Sequence, residues 1–169
     1  MQFPPEAYHR KIKMPTNETE KQYNDLKKKL KLPEFRELDF EFEISDLEET
    51  NYLLRSIVRK IAEKLDFYTT ILEEILQPDT SNLYAMHEMS YFEDDEKKRM
   101  YDLYCKLMNL NRRSIEVSLE HDPGNGAQFI TESLSEWKTL KNEMLEYVRK
   151  MKNSWKKEAD KYEDVGYLG

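Results

Sequence analysis

The feature that most constrains this chain is the return of an apolar residue at every seventh position through residues 47–76. Two rows share this period, four places apart: Leu47, Leu54, Ile61, Tyr68 and Ile75, then Val58, Leu65 and Leu72. A 3.5-residue spacing sustained over this length is typical of an α-helix that packs along other helices. Ser45 and Glu48 form a capping-box pattern, so we expect the helix to begin near Asp46 and to end before Pro78.

Two later segments repeat the same rhythm and predict two further long helices, at 91–121 and 126–159. The first has the seam Met100, Leu103, Leu107, Leu110, Ser114 and Val117, and the second has Ile130, Ser133, Trp137, Leu140, Met144, Tyr147 and Met151. Ser90 with Glu93, and Asn125 with Gln128, are the expected caps. The Pro-Gly turn at 122–126 makes its flanking helices antiparallel neighbours. The sequence therefore predicts an all-α fold, an elongated up-down-up bundle of three long helices over residues 46–159.

Residues 1–45 are predicted to form an N-terminal arm, and residues 160–169 a flexible tail. The arm contains a short helix at 17–31 and an extended segment at 38–44, where apolar and acidic residues alternate strictly. By its period this segment is a strand, with residues 8–14 as an antiparallel mate. The alternatives are a strap laid over the bundle, or a helix that begins near Pro33 with Phe35, Leu38 and Phe42 on one face. We favour the strand or the strap.

The charge distribution limits the class of partner. The chain has a net charge of -7, but residues 1–31 carry eight Lys and Arg against four Asp and Glu, so a basic arm precedes an acidic body. Nucleic-acid binding is therefore expected only through the arm, which we expect to lie on its own body. No apolar run is long enough to cross a membrane, and one cysteine excludes an internal disulfide. We expect a cytoplasmic protein.

The first candidate for chemistry is a metal site formed by His87, His121 and Asp122. The His121-Asp122 doublet is similar, as a dipeptide, to that of the all-helical HD-type metal-dependent phosphohydrolases, which add another His and a later Asp as ligands. Here the doublet ends a charged helix before Pro123-Gly124. Such a helix end accommodates His and Asp for capping alone, and we favour that interpretation.

The second candidate is acidic. Glu93-x-x-Glu96 matches half of the paired carboxylate motif with which helical-bundle nucleotide pyrophosphohydrolases hold magnesium. The other half is missing, and negative charge also suits a helix N-terminus, which is the interpretation we favour. When the seam is extended backwards, both carboxylates face inward. We therefore expect either a splayed helix end or a neutralising Lys or Arg.

The third candidate is surface recognition. Trp155 lies among Lys150, Lys152, Lys156 and Lys157, which can contact phosphate beside an aromatic stacker, although cations also suit a helix C-terminus, the interpretation we favour. Aromatic side chains are abundant relative to the narrow seams, and aromatic residues are enriched at interfaces. The interface candidates are Phe40, Phe42, Phe67, Tyr91, Phe92, Tyr101 and Trp155.

The sequence thus favours a non-catalytic interaction or assembly protein that forms homo-oligomers or binds a protein partner, without a cofactor. The alternative is a metal-dependent enzyme that acts on a nucleotide or other phosphate compound, with Mg²⁺ or Mn²⁺ held at the Glu93 and Glu96 end of the bundle.

Overall fold

The structure, a computed structural model, describes residues 18–47 and 51–164, with side chains described up to residue 160. These residues form six α-helices and one 3-10 turn, Ile44–Asp46. The helices are α1 (Glu18–Leu30), α2 (Phe35–Phe42), α3 (Leu53–Leu76), α4 (Leu83–Ser90), α5 (Asp94–Glu120) and α6 (Pro123–Asp164). There is no strand in the described ranges, so the all-α prediction is confirmed for them. Within the same ranges, no helix combines the length and apolarity needed to cross a bilayer.

The long helices begin at other residues than the capping patterns predict. Helix α3 starts at Leu53 rather than near Asp46, because the chain first makes the 3-10 turn; the predicted capping partner Glu48 lies outside the described residues. Helix α5 starts after Glu93 rather than after Ser90, which belongs to α4. Helix α6 starts at Pro123 rather than near residue 126, because proline fits the first helical position and Asp122 accepts a hydrogen bond from the Asn125 amide at 2.7 Å.

The predicted seams form the core. Helices α3, α5 and α6 pack against one another, and the seam residues Ile61, Leu107 and Ile130 are fully buried. The order of ion pairs along α5 and α6 shows that these two helices are antiparallel: Arg113 contacts Glu132, Lys106 contacts Glu143, and the earliest α5 partner, Glu96, contacts Lys150. Burying such broad stripes supplies most of the stability of the long helices.

The strand or strap predicted for residues 38–44 is wrong, because residues 35–42 form helix α2. Phe35, Leu38 and Phe42 lie on its buried face, while Phe40 is 80% exposed. The helix ends at Glu43, which adopts a left-handed conformation (φ 54°) and returns its amide to the Asp39 carbonyl. The alternating sequence satisfies both periods, and burial of one helical face decides between them. The proposed strand mate, residues 8–14, lies outside the described residues.

Helix α1 occupies Glu18–Leu30, within the predicted range 17–31, and is tied to α2 through Tyr23. The fully buried Tyr23 ring meets Phe35 edge-on at 5.4 Å, and its hydroxyl donates to the Pro33 carbonyl at 2.9 Å. Thr19 also donates to the Leu47 carbonyl at 2.8 Å, which links the start of α1 to the segment before α3. At the other end of the chain, α6 continues through residues 160–164, where a tail was predicted, and residues 165–169 lie outside the description.

Candidate functional site

The acidic end is a helix cap whose carboxylates already have partners. Glu93 is the N-cap of α5, and it forms a capping box with Glu96, whose carboxylate accepts the Glu93 amide at 2.8 Å. The same Glu96 carboxylate pairs with Lys150 of α6, and the hydrogen bond from that ammonium is the main cause of a lowered pKa for Glu96. The neutralising cation expected from the sequence is therefore Lys150, while Glu93 is exposed.

His87 lies at the same end but belongs to an aromatic cluster. Its ring is tilted over Trp155 at 4.2 Å between centroids and lies 5.0 Å from Tyr91. The Trp155 indole donates to Glu88 at 2.7 Å, so helix α4 is attached to the C-terminal half of α6. The basic residues around Trp155 are exposed except for the half-buried Lys150. His87 therefore packs against aromatic side chains between α4 and α6.

His121 and Asp122 follow the C-terminal end of α5, a helix roughly 40 Å long at a rise of 1.5 Å per residue, whereas His87 belongs to α4, which precedes the N-terminal end of α5. His121 has a left-handed backbone (φ 57°) at the C-cap, and Asp122 caps α6. Both line the rim of a cavity of about 280 Å³ between α1, the start of α3 and the α5–α6 turn, with Leu26, Leu54 and Val117 among its apolar walls. The structure therefore does not bring the three HD-type candidates together. Among the described residues, no group of three or more His, Cys, Asp and Glu could hold a metal ion.

The seven interface candidates divide by exposure. Phe40, Phe67, Tyr101 and Trp155 are exposed, and Tyr91 is half-buried. Phe42 and Phe92 are buried, so neither ring is available on the surface of the chain. Phe42 packs 6.4 Å from Trp137, and Phe92 packs 6.0 Å from Tyr147 with the Lys150 ammonium over its ring. These two rings belong to the core.

One surface was not predicted from the sequence. It contains Tyr101 and forms a second regularly spaced row of side chains on α5. Steps of four, three, four, three and four residues lead along α5 through Tyr101, Cys105, Met108, Arg112, Ile115 and Leu119, which we name the outer seam. Met108 is half-buried and the other five are exposed, with Leu119 75% exposed. This spacing is the same 3.5-residue period that the buried seam shows. Arg112 interrupts the apolar row, which is why the pattern is easily overlooked.

The two seams lie on nearly opposite sides of the helix. At 100° per residue, the mean direction of the outer seam is about 150° from that of the buried seam. Met100, Leu103, Leu107 and Leu110 are all fully buried on the inner side. Helix α5 thus has one apolar row that faces its own chain and another that faces solvent.

Local contacts order the N-terminal end of the outer seam. The Tyr101 and Tyr104 rings are nearly parallel, with an interplanar angle of 21° and centroids 6.2 Å apart. A hydrogen bond between Tyr101 and Cys105 is the main cause of a raised pKa for the Tyr101 phenol. Tyr101 therefore contacts Tyr104 and Cys105 of its own chain at this end of the seam.

The buried polar network around Glu41 was also missed, because its members lie far from Glu41 in the chain: Lys64 by 23 residues, Trp137 by 96 and Lys141 by 100. The Glu41 carboxylate, 6% exposed, accepts the Trp137 indole N–H at 3.0 Å and pairs with Lys141. Lys64 of α3 donates to the Glu41 carbonyl, and its ammonium lies about 5.5 Å from both the Phe42 and Trp137 rings. Every polar group has a partner, so the network is a tie between α2, α3 and α6.

Comparisons with protein-family models, curated proteins and solved structures give no match for this chain.

Proposed function

We propose that this chain is a non-catalytic helical interaction or assembly protein that self-associates through the outer seam of α5. The observation that carries the proposal is the exposure of an apolar row with a regular 3.5-residue period on a helix whose opposite side is already buried. Single exposed apolar residues are normal on protein surfaces, whereas a continuous contact row is a typical site for a second helix.

The scaffold in this proposal is an up-down-up bundle of α3, α5 and α6, with α1 and α2 laid against it. The mutual packing of the three long helices and the antiparallel ion pairs between α5 and α6 support this architecture. A bundle of this kind gives the outer seam a rigid support, because each turn of α5 is held from behind by buried residues such as Leu103 and Leu110. A prepositioned helix loses little conformational entropy when it binds.

The chemistry of the outer seam favours a protein partner over nucleic acid. Arg112 is the one cation in the outer seam. The acidic residues Asp102 and Glu116 lie beside the seam on the surface of α5. A surface that contacts phosphates needs several cations, since counterion release supplies most of the affinity. We place the protein in the cytoplasm, where an exposed thiol such as that of Cys105 stays reduced.

Light scattering across a concentration series tests the proposal. Under reducing conditions we expect the mean mass to rise with concentration above that of a 20.5 kDa monomer. A mass that stays at the monomer value up to several hundred micromolar would contradict self-association with a Kd in the micromolar range.

A further inference from the structure

The occupant of the outer seam can be named more closely. Resting on the proposed function above, we propose that it is α5 of a second copy of this chain, antiparallel, with the twofold axis passing level with Leu110. Each α5 residue then faces a residue of the second copy, and the two residue numbers add up to 220. The proposal thus defines a register as well as a surface.

The spacing of the seam is compatible with this register. A row with steps of four, three, four, three and four is unchanged when its direction is reversed, so two copies can align every seam residue with a seam residue. Tyr101 then meets Leu119 of the second copy, Cys105 meets Ile115, and Met108 meets Arg112. If the two rows are shifted along each other, some seam residues at the ends have no seam residue of the second copy opposite them.

Arg112 selects the antiparallel orientation. In a parallel pair the two Arg112 side chains would face each other at the same level of the seam, which places like charges in the contact. In the antiparallel pair the apolar stem of Arg112 packs along Met108 of the second copy while its guanidinium reaches solvent. Exposure of Arg112 in the isolated chain leaves this side chain room to adjust.

The charges at the rim favour the same orientation at the ends of the seam. Lys98 lies on the same side of the seam as Glu120 of the second copy, offset by about 3 Å along the axis. Near the middle, Asp102 lies beside Glu116 of the second copy, a like-charge pair that opposes the attraction. Exposed pairs of this kind contribute little, so the residues of the seam itself decide the orientation.

The size of the seam predicts a weak dimer. From Tyr101 to Leu119 the seam is roughly 27 Å long, and its width is about that of one helix, 10–12 Å. An interface of these dimensions falls in the low size class, below roughly 1,200 Å² of total buried surface. The area therefore suits a concentration-dependent dimer rather than a permanent one.

The test uses the fact that Cys105 is the one cysteine of the chain. In this register Cys105 faces Ile115 of the second copy, so Ile115→Cys in the natural background should give a dimer joined by two disulfides under mild oxidation. The chain with Cys105 alone, and the Cys105→Ser, Ile115→Cys chain, should not cross-link, because their thiols lie about 15 Å apart along the axis and a disulfide needs Cα atoms within about 7 Å. We expect at least roughly tenfold more covalent dimer from the two-cysteine chain.

A matched control is Leu119→Cys in the natural background. Residue 119 belongs to the same seam and is more exposed than Ile115, yet it faces Tyr101 of the second copy and is offset by about 6 Å along the axis from Cys105, so it should cross-link much less than Ile115→Cys. Since every substituted position is exposed, far-UV circular dichroism should show unchanged helix content in all variants.

Each outcome separates the register from the self-association itself. Cross-linking of either single-cysteine chain would overturn the antiparallel register in favour of a parallel pair. Absence of cross-linking together with a dimeric mass would overturn the register while leaving the proposed self-association intact. Absence of cross-linking together with a monomeric mass at every concentration would overturn both.

Discussion

The indole N–H of Trp137 donates a hydrogen bond to the carboxylate of Glu41 at 3.0 Å, across 96 residues of sequence and almost out of contact with water. Lys141 neutralises the same carboxylate. Helix α2 is thereby fixed to α6, and its Phe42 ring lies beside Trp137. This contact explains why an alternating acidic and apolar segment is a helix: the helix presents Glu41 and Phe42 to the same neighbours.

Glu41→Ala should lower the free energy of unfolding by about 2–4 kcal/mol, because it leaves a buried indole N–H and the Lys141 ammonium without their partner. Urea denaturation followed by circular dichroism measures this change. Glu37→Ala is the matched control, since the Glu37–Lys138 pair also joins α2 to α6 but is nearly half exposed and should contribute under about 1 kcal/mol. If the two variants lost the same free energy of unfolding, burial of Glu41 would not explain its contribution.

Glu96 should stabilise the fold at neutral pH but not in acid. Its pKa is lowered in the folded chain, first by the hydrogen bond from Lys150 and then by the amide of Glu93. The stabilisation is therefore present above the unfolded pKa of about 4.3 and is lost as pH falls through the lower folded value. Because the group is partly exposed, we expect Glu96→Gln to cost no more than about 0.5 kcal/mol at pH 7 and nothing at the acid end. A constant difference between the two proteins at all pH values would refute this linkage.

Tyr23 should make the fold sensitive to alkali. Burial, and then the charge of Glu34, raise the pKa of Tyr23, so the folded chain retains the phenol proton after the unfolded chain has lost it. Its contribution is complete below the unfolded pKa of about 10 and decreases as pH rises above that value. Tyr23→Phe loses the hydrogen bond to Pro33, at a cost of about 1 kcal/mol at pH 7. Denaturation of both proteins over a pH series should show that this difference in unfolding free energy decreases above pH 10. An increase would contradict the predicted direction of the pKa effect.

Divalent metal should leave the melting temperature unchanged, because Glu93 and Glu96 already serve the capping box and Lys150. Thermal unfolding with and without Mg²⁺ or Mn²⁺ checks this expectation. A stabilisation by metal that Glu93→Gln and Glu96→Gln abolish would instead support the metal-dependent enzyme.

The long helices could be predicted from the sequence because the apolar residues of each seam recur at a regular spacing within one segment. Leu107 and Ile130 could be assigned to the core from local spacing alone, and both are fully buried. The short helix α2 could not be predicted in the same way, since Leu38 and Phe42 satisfy a strand period and a helix period equally. The contacts that bury one face of the helix decide between them, among them those of the distant Trp137, and no local pattern contains that information.

The candidate surface was partly visible in the sequence. Tyr101 was singled out as an aromatic residue away from the buried seam, and the steps through Cys105, Met108, Ile115 and Leu119 were available to be counted. Phe92 was misjudged because it precedes a helix cap, where a periodic pattern gives no information about burial. Its position against Tyr147 and Lys150 depends on the return of α6 to the start of α5.

The most direct test of self-association through α5 is sedimentation velocity of the natural chain beside Leu119→Lys and Leu83→Lys. Both leucines are highly exposed, at 75% and 85%, but only Leu119 belongs to the outer seam. We predict that the natural chain and Leu83→Lys show the same increase in sedimentation coefficient with concentration, whereas Leu119→Lys stays monomeric, because a charge in the seam would lose its solvent on pairing. Equal association of all three proteins, or of none, would contradict the assignment of the outer seam as the contact surface.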